Sequence, residues 1–165
     1  MDHIRSVALL SAGLLAGAMG YGAVNLVPTF RSVPLDVRLT FHTELMRMNG
    51  PVVQTVMALA FVGSVALAVR SGGGRRWVAV GAAALVLVSF LVTRFGNVPI
   101  NAEMKMWVAT APPPDHASIL RRWEIFNVVR TVAAVAAFGL LVLATGDREL
   151  GPRLPDDVAV GRVGD

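Results

Sequence analysis

Residues 48–93 read MNGPVVQTVMALAFVGSVALAVRSGGGRRWVAVGAAALVLVSFLVT and contain two uncharged runs separated by a short basic segment. The runs, residues 48–69 and 77–93, are 22 and 17 residues long, and a helix needs about 20 apolar residues to cross a bilayer. The glycine-rich segment between them, residues 70–76, is only long enough to turn the chain. This stretch therefore predicts two antiparallel membrane-spanning helices.

Two further uncharged runs, residues 6–30 and 131–146, flank this hairpin. The second is long enough to span the bilayer once residues 125–130 are included. The fold class predicted is an all-α, four-transmembrane-helix bundle in one domain, residues 1–147, followed by a disordered tail, residues 148–165. The predicted spans are residues 6–30, 51–69, 76–95 and 124–146.

The composition excludes several classes of protein. Hydrophobic residues make up 55% of the 165 residues and charged residues only 16%, whereas about 25% of a soluble domain is charged. Cysteine is absent, which excludes disulfides, thiolate metal sites and a cysteine nucleophile. The net charge of +4 comes from arginines that flank the apolar runs, so no nucleic acid is expected as a partner. We expect a multi-pass protein of the cell membrane, surrounded by membrane lipid.

The orientation follows from the shortest loop. Residues 70–76 contain three arginines and no acidic residue, and short loops rich in Lys and Arg remain on the cytoplasmic side. The hairpin and both termini are therefore expected in the cytoplasm. The N-terminal run of 25 residues is longer than the core of a signal peptide, so it is interpreted as a retained helix.

Two further features concern packing. Residues 31–50 form a long connection in which Val37, Phe41 and Leu45 follow helical spacing, so a short amphipathic helix is predicted there. In the first span, Gly13 and Gly17 form a GxxxG step that lets helices approach closely. Packing within the bundle and a homo-oligomer both remain open for this step.

The segment FGNVPINAEMKMW, residues 95–107, carries unusual polar residues at the end of the third span. Asn97 and Asn101 share a helical face if the helix continues past Pro99. Amide groups near hydrocarbon need hydrogen-bond partners. These residues either tie together the end of the span or line a polar pocket.

The segment RRWEIFNVVRT, residues 121–131, opens the fourth span. Its Trp123, Asn127 and Arg130 lie on one helical face. Ionisable residues inside membrane segments are expensive, and they are functional candidates by default. We therefore predict that Arg130 faces inward.

An inward Arg130 needs an interaction that offsets roughly 2.5–3.5 kcal/mol of insertion free energy at a helix centre. The polar side chains of the third span are the expected source of that interaction. The predicted partner is Asn97, Asn101 or Glu103, in a pocket floored by Trp123.

Methionines and histidines at this end of the bundle raise a metal alternative, because thioether and imidazole groups suit copper. Methionines in apolar segments are more often core filler, and the chain has no HxH or HxxxH pair. We therefore assign no metal. The residues concerned are Met46, Met48, Met104, Met106, His42, Glu44, Glu103 and His116.

The segments FGNVPINAEM (residues 95–104) and RRWEIFNVVRT resemble the anthrone oxygenase-like family of small four-helix membrane proteins. The similarity extends over about Gly13–Thr145. The characterised members of this family oxidise polycyclic anthrones to anthraquinones in aromatic polyketide pathways, with O₂ and no known organic cofactor. The resemblance implies the same kind of activity for this chain. The residues that match the family pattern are Asn97, Pro99, Asn101, Trp123, Asn127 and Arg130.

The resemblance implies a membrane-embedded oxygenase or oxidase acting with O₂ on a hydrophobic, anthrone-like small molecule, without a cofactor. Removing a methylene proton from an anthrone gives an electron-rich anion that can react with O₂ directly. Such a site needs a base, a cradle for the oxyanion and a dry slot. His42 is the candidate base because the ordinary pKa of histidine lies near neutrality, and Glu103 is the substitute.

The other site residues are assigned to the substrate. The oxyanion is expected to be held by Arg130, Asn127 and Asn101, with Asn97 beside them, and the aromatic rings by Trp123 and Trp107. Two alternatives remain: a non-catalytic membrane protein that binds a lipophilic ligand or serves as an accessory subunit, and a copper-handling protein.

Overall fold

A computed structural model of the chain describes residues 2–146, and the predicted tail lies outside the described residues. The described chain consists of helices joined by short links, which confirms the all-α four-helix bundle. The elements are α1 (Asp2–Tyr21), a π-helical turn (Gly22–Leu26), α2 (Val27–Ser32), α3 (Leu35–Arg70), α4 (Gly73–Val92), a second π-helical turn (Thr93–Asn97), α5 (Val98–Ala109) and α6 (His116–Gly146).

These elements form four rods, each long and apolar enough to cross a membrane. The first rod joins α1 to α2 and the third joins α4 to α5, while α3 and α6 are the second and fourth. Apolar side chains such as Leu10, Val62 and Leu143 are about two-thirds exposed on the outer surface. Such an exposed apolar surface suits lipid and not water. The chain is a multi-pass membrane protein.

The core is built from small side chains. Helix α1 packs against α3 and α6, and α4 packs against the same two helices. In the larger of the two apolar clusters, nine of the fifteen buried residues are alanines, including Ala12, Ala60, Ala82 and Ala137. Small residues let backbones approach closely, which is how helices associate where lipid removes the hydrophobic driving force.

Helices α1 and α3 approach each other closely at Gly63 of α3. A Cβ added there would lie 2.9 Å from the Cα of Ala8 on α1. We expect Gly63→Leu to lower the free energy of unfolding by about 1–3 kcal/mol, because overpacking forces the backbones apart. The measurement is thermal unfolding in detergent.

Gly17 provides the matched control, because a Cβ there meets no atom within 4 Å. Gly17→Leu should leave the stability unchanged or raise it, since glycine is a poor helix former. Equal losses in the two variants would contradict the packing described here. A Cβ on Gly13 would lie 3.2 Å from the ring of Phe138, so Gly13 serves packing inside the bundle. A homo-oligomer through Gly13 and Gly17 stays a prediction.

Each π-helical turn ends two residues before a proline, Pro28 or Pro99. Proline has no N–H, and its ring clashes with the carbonyl four residues earlier. In both turns the hydrogen-bond register widens by one residue, so that Val27 N–H donates to Gly22 O and Val98 N–H donates to Thr93 O. The helix therefore continues past each proline instead of ending there.

The long connections expected between the spans are therefore mostly helical. At the end of the bundle opposite the glycine-rich hairpin, only residues 33–34 separate the first rod from the second, and only residues 110–115 separate the third from the fourth. The predicted amphipathic segment is helical, but it forms the first turns of α3 and continues through Pro51 into the second span. At 1.5 Å per residue, the 36 residues of α3 are about 54 Å long, well beyond the roughly 30 Å hydrocarbon core. The extra length carries the polar residues.

Candidate active site

All four rods contribute a side chain to a cluster around His42, which is fully buried on α3. The imidazole Nε2 lies 3.2 Å from Oδ1 of Asn101 on α5. The ring of Trp123 on α6 packs edge-on against the imidazole, with centroids 4.6 Å apart. Phe30 on α2 lies on the imidazole as well, at 5.1 Å. The sequence motifs that were far apart in the chain therefore meet at one point.

The hydrogen bonds fix the tautomer of His42. Trp123 Nε1–H donates to Asn101 Oδ1 at 2.8 Å, and an indole N–H is only a donor, so the amide atom that it meets is the oxygen. The same oxygen faces His42 Nε2 and can only accept. Nε2 therefore donates, and the lone pair of a neutral imidazole lies on Nδ1. That nitrogen is buried without a hydrogen-bond partner among the described residues.

Asn97 has a related arrangement one turn before Asn101. Its side chain is fully buried, and Nδ2 donates to the backbone carbonyl of Trp123 at 3.1 Å. Oδ1 of Asn97 has no partner among the described residues. Buried polar atoms are nearly always paired, so an unpaired one calls for an explanation such as a ligand or a catalytic role. The second π-helical turn can approach α6 this closely because of Gly96, where a Cβ would lie 2.8 Å from the Phe126 ring.

A charged cluster lies next to these residues, and the sequence interpretation did not include it. The carboxylate of Glu124 accepts from Arg31 at 2.6 Å and from Arg38 at 3.1 Å. Arg38 and Glu124 are buried, whereas Arg31 is exposed. Glu124 is the sole acidic residue in the sequence of α6, and a lone carboxylate in a spanning helix is a signal that a cation lies opposite.

Arg130 has partners other than those predicted. Its Nε and Nη2 donate to Oδ1 of Asn127 at 3.1 and 2.7 Å, and Nη1 lies 3.4 Å from Oγ1 of Thr93. The assignment of Asn97, Asn101 or Glu103 as its partner was wrong.

The reason is the length of α6 between Trp123 and Arg130. Trp123 and Arg130 are seven residues apart, which is about 10 Å along the helix axis. Trp123 and the amide of Asn101 are bonded to each other near His42, out of reach of the guanidinium. The expectation that Trp123 floors the Arg130 pocket was wrong for the same reason. Arg130 is only partly buried, and the third rod still supplies one of its partners, Thr93.

The remaining predicted site residues lie outside the His42 cluster. Trp107 is buried in an apolar cluster that also contains Phe30 and Trp123, but among the described residues the rings that pack on His42 are those of Phe30 and Trp123. Glu103 is half-buried, and within the described residues its side chain makes no hydrogen bond or ion pair. The structure therefore brings His42, Asn101, Asn97 and Trp123 together but leaves Glu103 and Trp107 outside that group.

The residues considered for copper do not converge. Met104 is fully buried, whereas Met48 and Met106 are more than half exposed. Within residues 2–146, no group of three His, Asp or Glu side chains could hold a metal ion. His116 is engaged with the carbonyl of Pro113 at 2.8 Å.

The fold and the site define a small four-span membrane protein with a buried histidine–amide–indole cluster near one end of the bundle. The family model described as anthrone oxygenase matches residues 38–140. The chain therefore belongs to the anthrone oxygenase family. The match begins at Arg38, later than the Gly13 expected from the resemblance, and it includes His42 and both sequence motifs. Comparison with curated proteins and with solved structures gave no match.

Proposed function

We propose that this protein is a membrane-embedded oxygenase that converts a hydrophobic, anthrone-like aromatic to its quinone with O₂. The observation that carries the proposal is the free Nδ1 of His42, a base nitrogen held in a site enclosed by aromatic rings. Family membership supports the oxygenase class. A buried base with its second nitrogen fixed by a hydrogen bond is the arrangement that general-base catalysis requires.

The chemistry needs no electron donor other than the substrate. His42 Nδ1 takes a proton from the methylene group of the anthrone, and the electron pair of that C–H bond is delocalised onto the carbonyl oxygen of the anthrone. The resulting anion is electron-rich and gives its electrons to O₂. In sum, anthrone and O₂ give anthraquinone and water: two C–H bonds and the O–O bond are broken, and one C=O bond and two O–H bonds are formed.

The neighbouring side chains have separate roles in this proposal. Asn101 holds the tautomer of His42, and the rings of Trp123 and Phe30 provide flat apolar walls for an aromatic substrate. Arg130 supplies positive charge for the oxyanion, since among the described residues no carboxylate pairs with it. Asn127 holds the guanidinium in place through two bonds.

Because His42 is fully buried, the rings around it must separate when substrate binds. Phe30 is the wall that we expect to move, because it lies on α2, the six-residue segment that ends the first rod. This helix follows a π-helical turn and precedes the link at residues 33–34. Substrate dissolved in the bilayer would then enter between the first rod and its neighbours.

The test is a panel of anthrones incubated with the purified protein in lipid nanodiscs, with O₂ uptake and quinone absorbance followed together. We expect quinone formation faster than the spontaneous reaction, with one O₂ consumed for each quinone formed. Rates equal to those of empty nanodiscs for every anthrone would refute the proposal. Binding of anthrones without turnover would instead identify a non-catalytic lipophile-binding protein.

Arg130→Lys tests the role of the guanidinium. We expect the turnover number to fall about 10²–10³-fold, the effect of removing one group that stabilises an oxyanion, because lysine keeps the charge but loses the planar set of donors. The protein should remain monodisperse in detergent. Arg94→Lys, at an exposed position on the same rod as Thr93, is the control and should keep full activity. Unchanged activity per folded molecule together with a lower melting temperature would make Arg130 a structural clamp.

A further inference from the structure

A cavity of about 430 Å³ opens at the end of the bundle beside the His42 cluster. We call it the arginine vestibule, because Arg31, Arg38 and Arg121 line it together with Glu124. Three positive charges and one negative charge leave a net charge of +2, with His116 at the edge counted as neutral. The chemistry of this lining favours an anion.

The vestibule keeps unused hydrogen-bonding capacity. Both carboxylate oxygens of Glu124 are occupied, one by Arg31 and one by Arg38. Nε of Arg38 is buried with no partner, and Arg121 forms no ion pair within residues 2–146. Guanidinium groups bind carboxylates through paired, charge-assisted hydrogen bonds. A second carboxylate could therefore be bound in addition to Glu124.

The position of the vestibule relates it to the proposed reaction. Arg38 precedes His42 by four residues on α3, which is one helical turn and about 6 Å along the axis. On α6, Glu124 directly follows Trp123, whose ring packs against His42. The lining also includes the apolar side chains of Leu35 and Leu120. Because Arg38 lies one helical turn from His42, an elongated ligand held at the arginines could extend toward the imidazole once the rings around His42 separate.

We propose that the arginine vestibule binds an acidic substituent, a carboxylate, on the aromatic substrate, so that the ring system extends toward His42. The identity of the ligand as substrate rests on the proposed function, whereas the binding of an anion does not. A lipid headgroup carries a comparable anion, so the experiment below distinguishes the two sources.

The test uses two probes that cannot be oxidised further, anthraquinone-2-carboxylate and anthraquinone. Their binding is followed by quenching of tryptophan fluorescence in phosphatidylcholine nanodiscs. We expect the wild-type protein to bind the carboxylated probe about tenfold more tightly, the contribution of a charge-assisted hydrogen bond. Arg121→Gln should reduce this preference about threefold or more. Arg76→Gln, which removes one charge at the opposite end, should leave it unchanged.

Three outcomes would overturn the proposal. They are equal affinities for the two probes in the wild-type protein, a preference that Arg121→Gln does not change, and loss of the preference when phosphatidylglycerol is added, which would identify a headgroup site. Turnover of a neutral anthrone is measured separately. A carboxylate preference without turnover of any anthrone would keep the anion site and refute the proposed function.

Discussion

Replacing His42 with glutamine is expected to lower the turnover number for anthrone oxidation by about 10²–10⁴-fold, the usual contribution of a general base. Glutamine can still donate to Asn101 through its amide group, but it has no nitrogen that accepts a proton at neutral pH. The imidazole Nδ1 is the atom that is lost, and it has no structural partner among the described residues. The fold should therefore survive, and the measurement is quinone formation per folded molecule.

The control for this variant is His3→Gln. His3 is exposed on α1, so its loss removes an imidazole without touching the site, and activity should be unchanged. An activity in His42→Gln within a factor of two of the wild type would show that His42 is a packing residue. If His42→Gln loses activity and its elution volume also changes, His42→Asn is tested next. Full activity of the folded His42→Asn variant would also refute the role of His42 as the base.

The largest effect on stability is expected for Glu124→Gln. This change leaves the buried guanidinium of Arg38 without its counter-charge, and breaking a buried ion pair costs about 3–5 kcal/mol in free energy of unfolding. The exposed partner, Arg31, can turn to water or headgroups. The measurement is thermal unfolding in detergent, and we expect a large fall in the melting temperature.

Glu44→Gln is the matched control, because Glu44 pairs with Arg47 at 2.7 Å and both side chains are more than half exposed. An exposed pair contributes about 0–1 kcal/mol, so the melting temperature should hardly move. The double variant Arg38→Met/Glu124→Gln should recover part of the stability, because it removes the unpaired charge. Similar small losses in both single variants would contradict the assignment of a buried ion pair.

The four spans could be predicted because the bilayer leaves few choices. Uncharged runs of about 20 residues must be helical, since no other open structure satisfies the backbone in hydrocarbon. The ends of the rods were harder to predict from sequence. Proline usually ends or kinks a helix, and only the structure shows that a π-helical turn before Pro28 and before Pro99 carries the helix onward. The short link at residues 33–34 follows from that continuation.

Only the part of the site that lies on single helices could be predicted from the sequence. Helical spacing relates residues on one helix, so Asn97 with Asn101 and Trp123 with Asn127 were recognised as pairs. Spacing does not determine which helices face each other. The contact of His42 with Asn101 and Trp123 therefore depends on the packing of three rods, as does the pairing of Arg38 with Glu124.

The central claim is that His42 takes a proton from the methylene group of an anthrone. The direct test excludes O₂ and follows exchange of the methylene protons with D₂O by NMR, under nitrogen, for the wild-type protein and for His42→Gln. The account predicts that the wild-type protein accelerates the exchange above the spontaneous rate and that His42→Gln does not. No acceleration by the wild-type protein, or equal acceleration by both proteins, would contradict it.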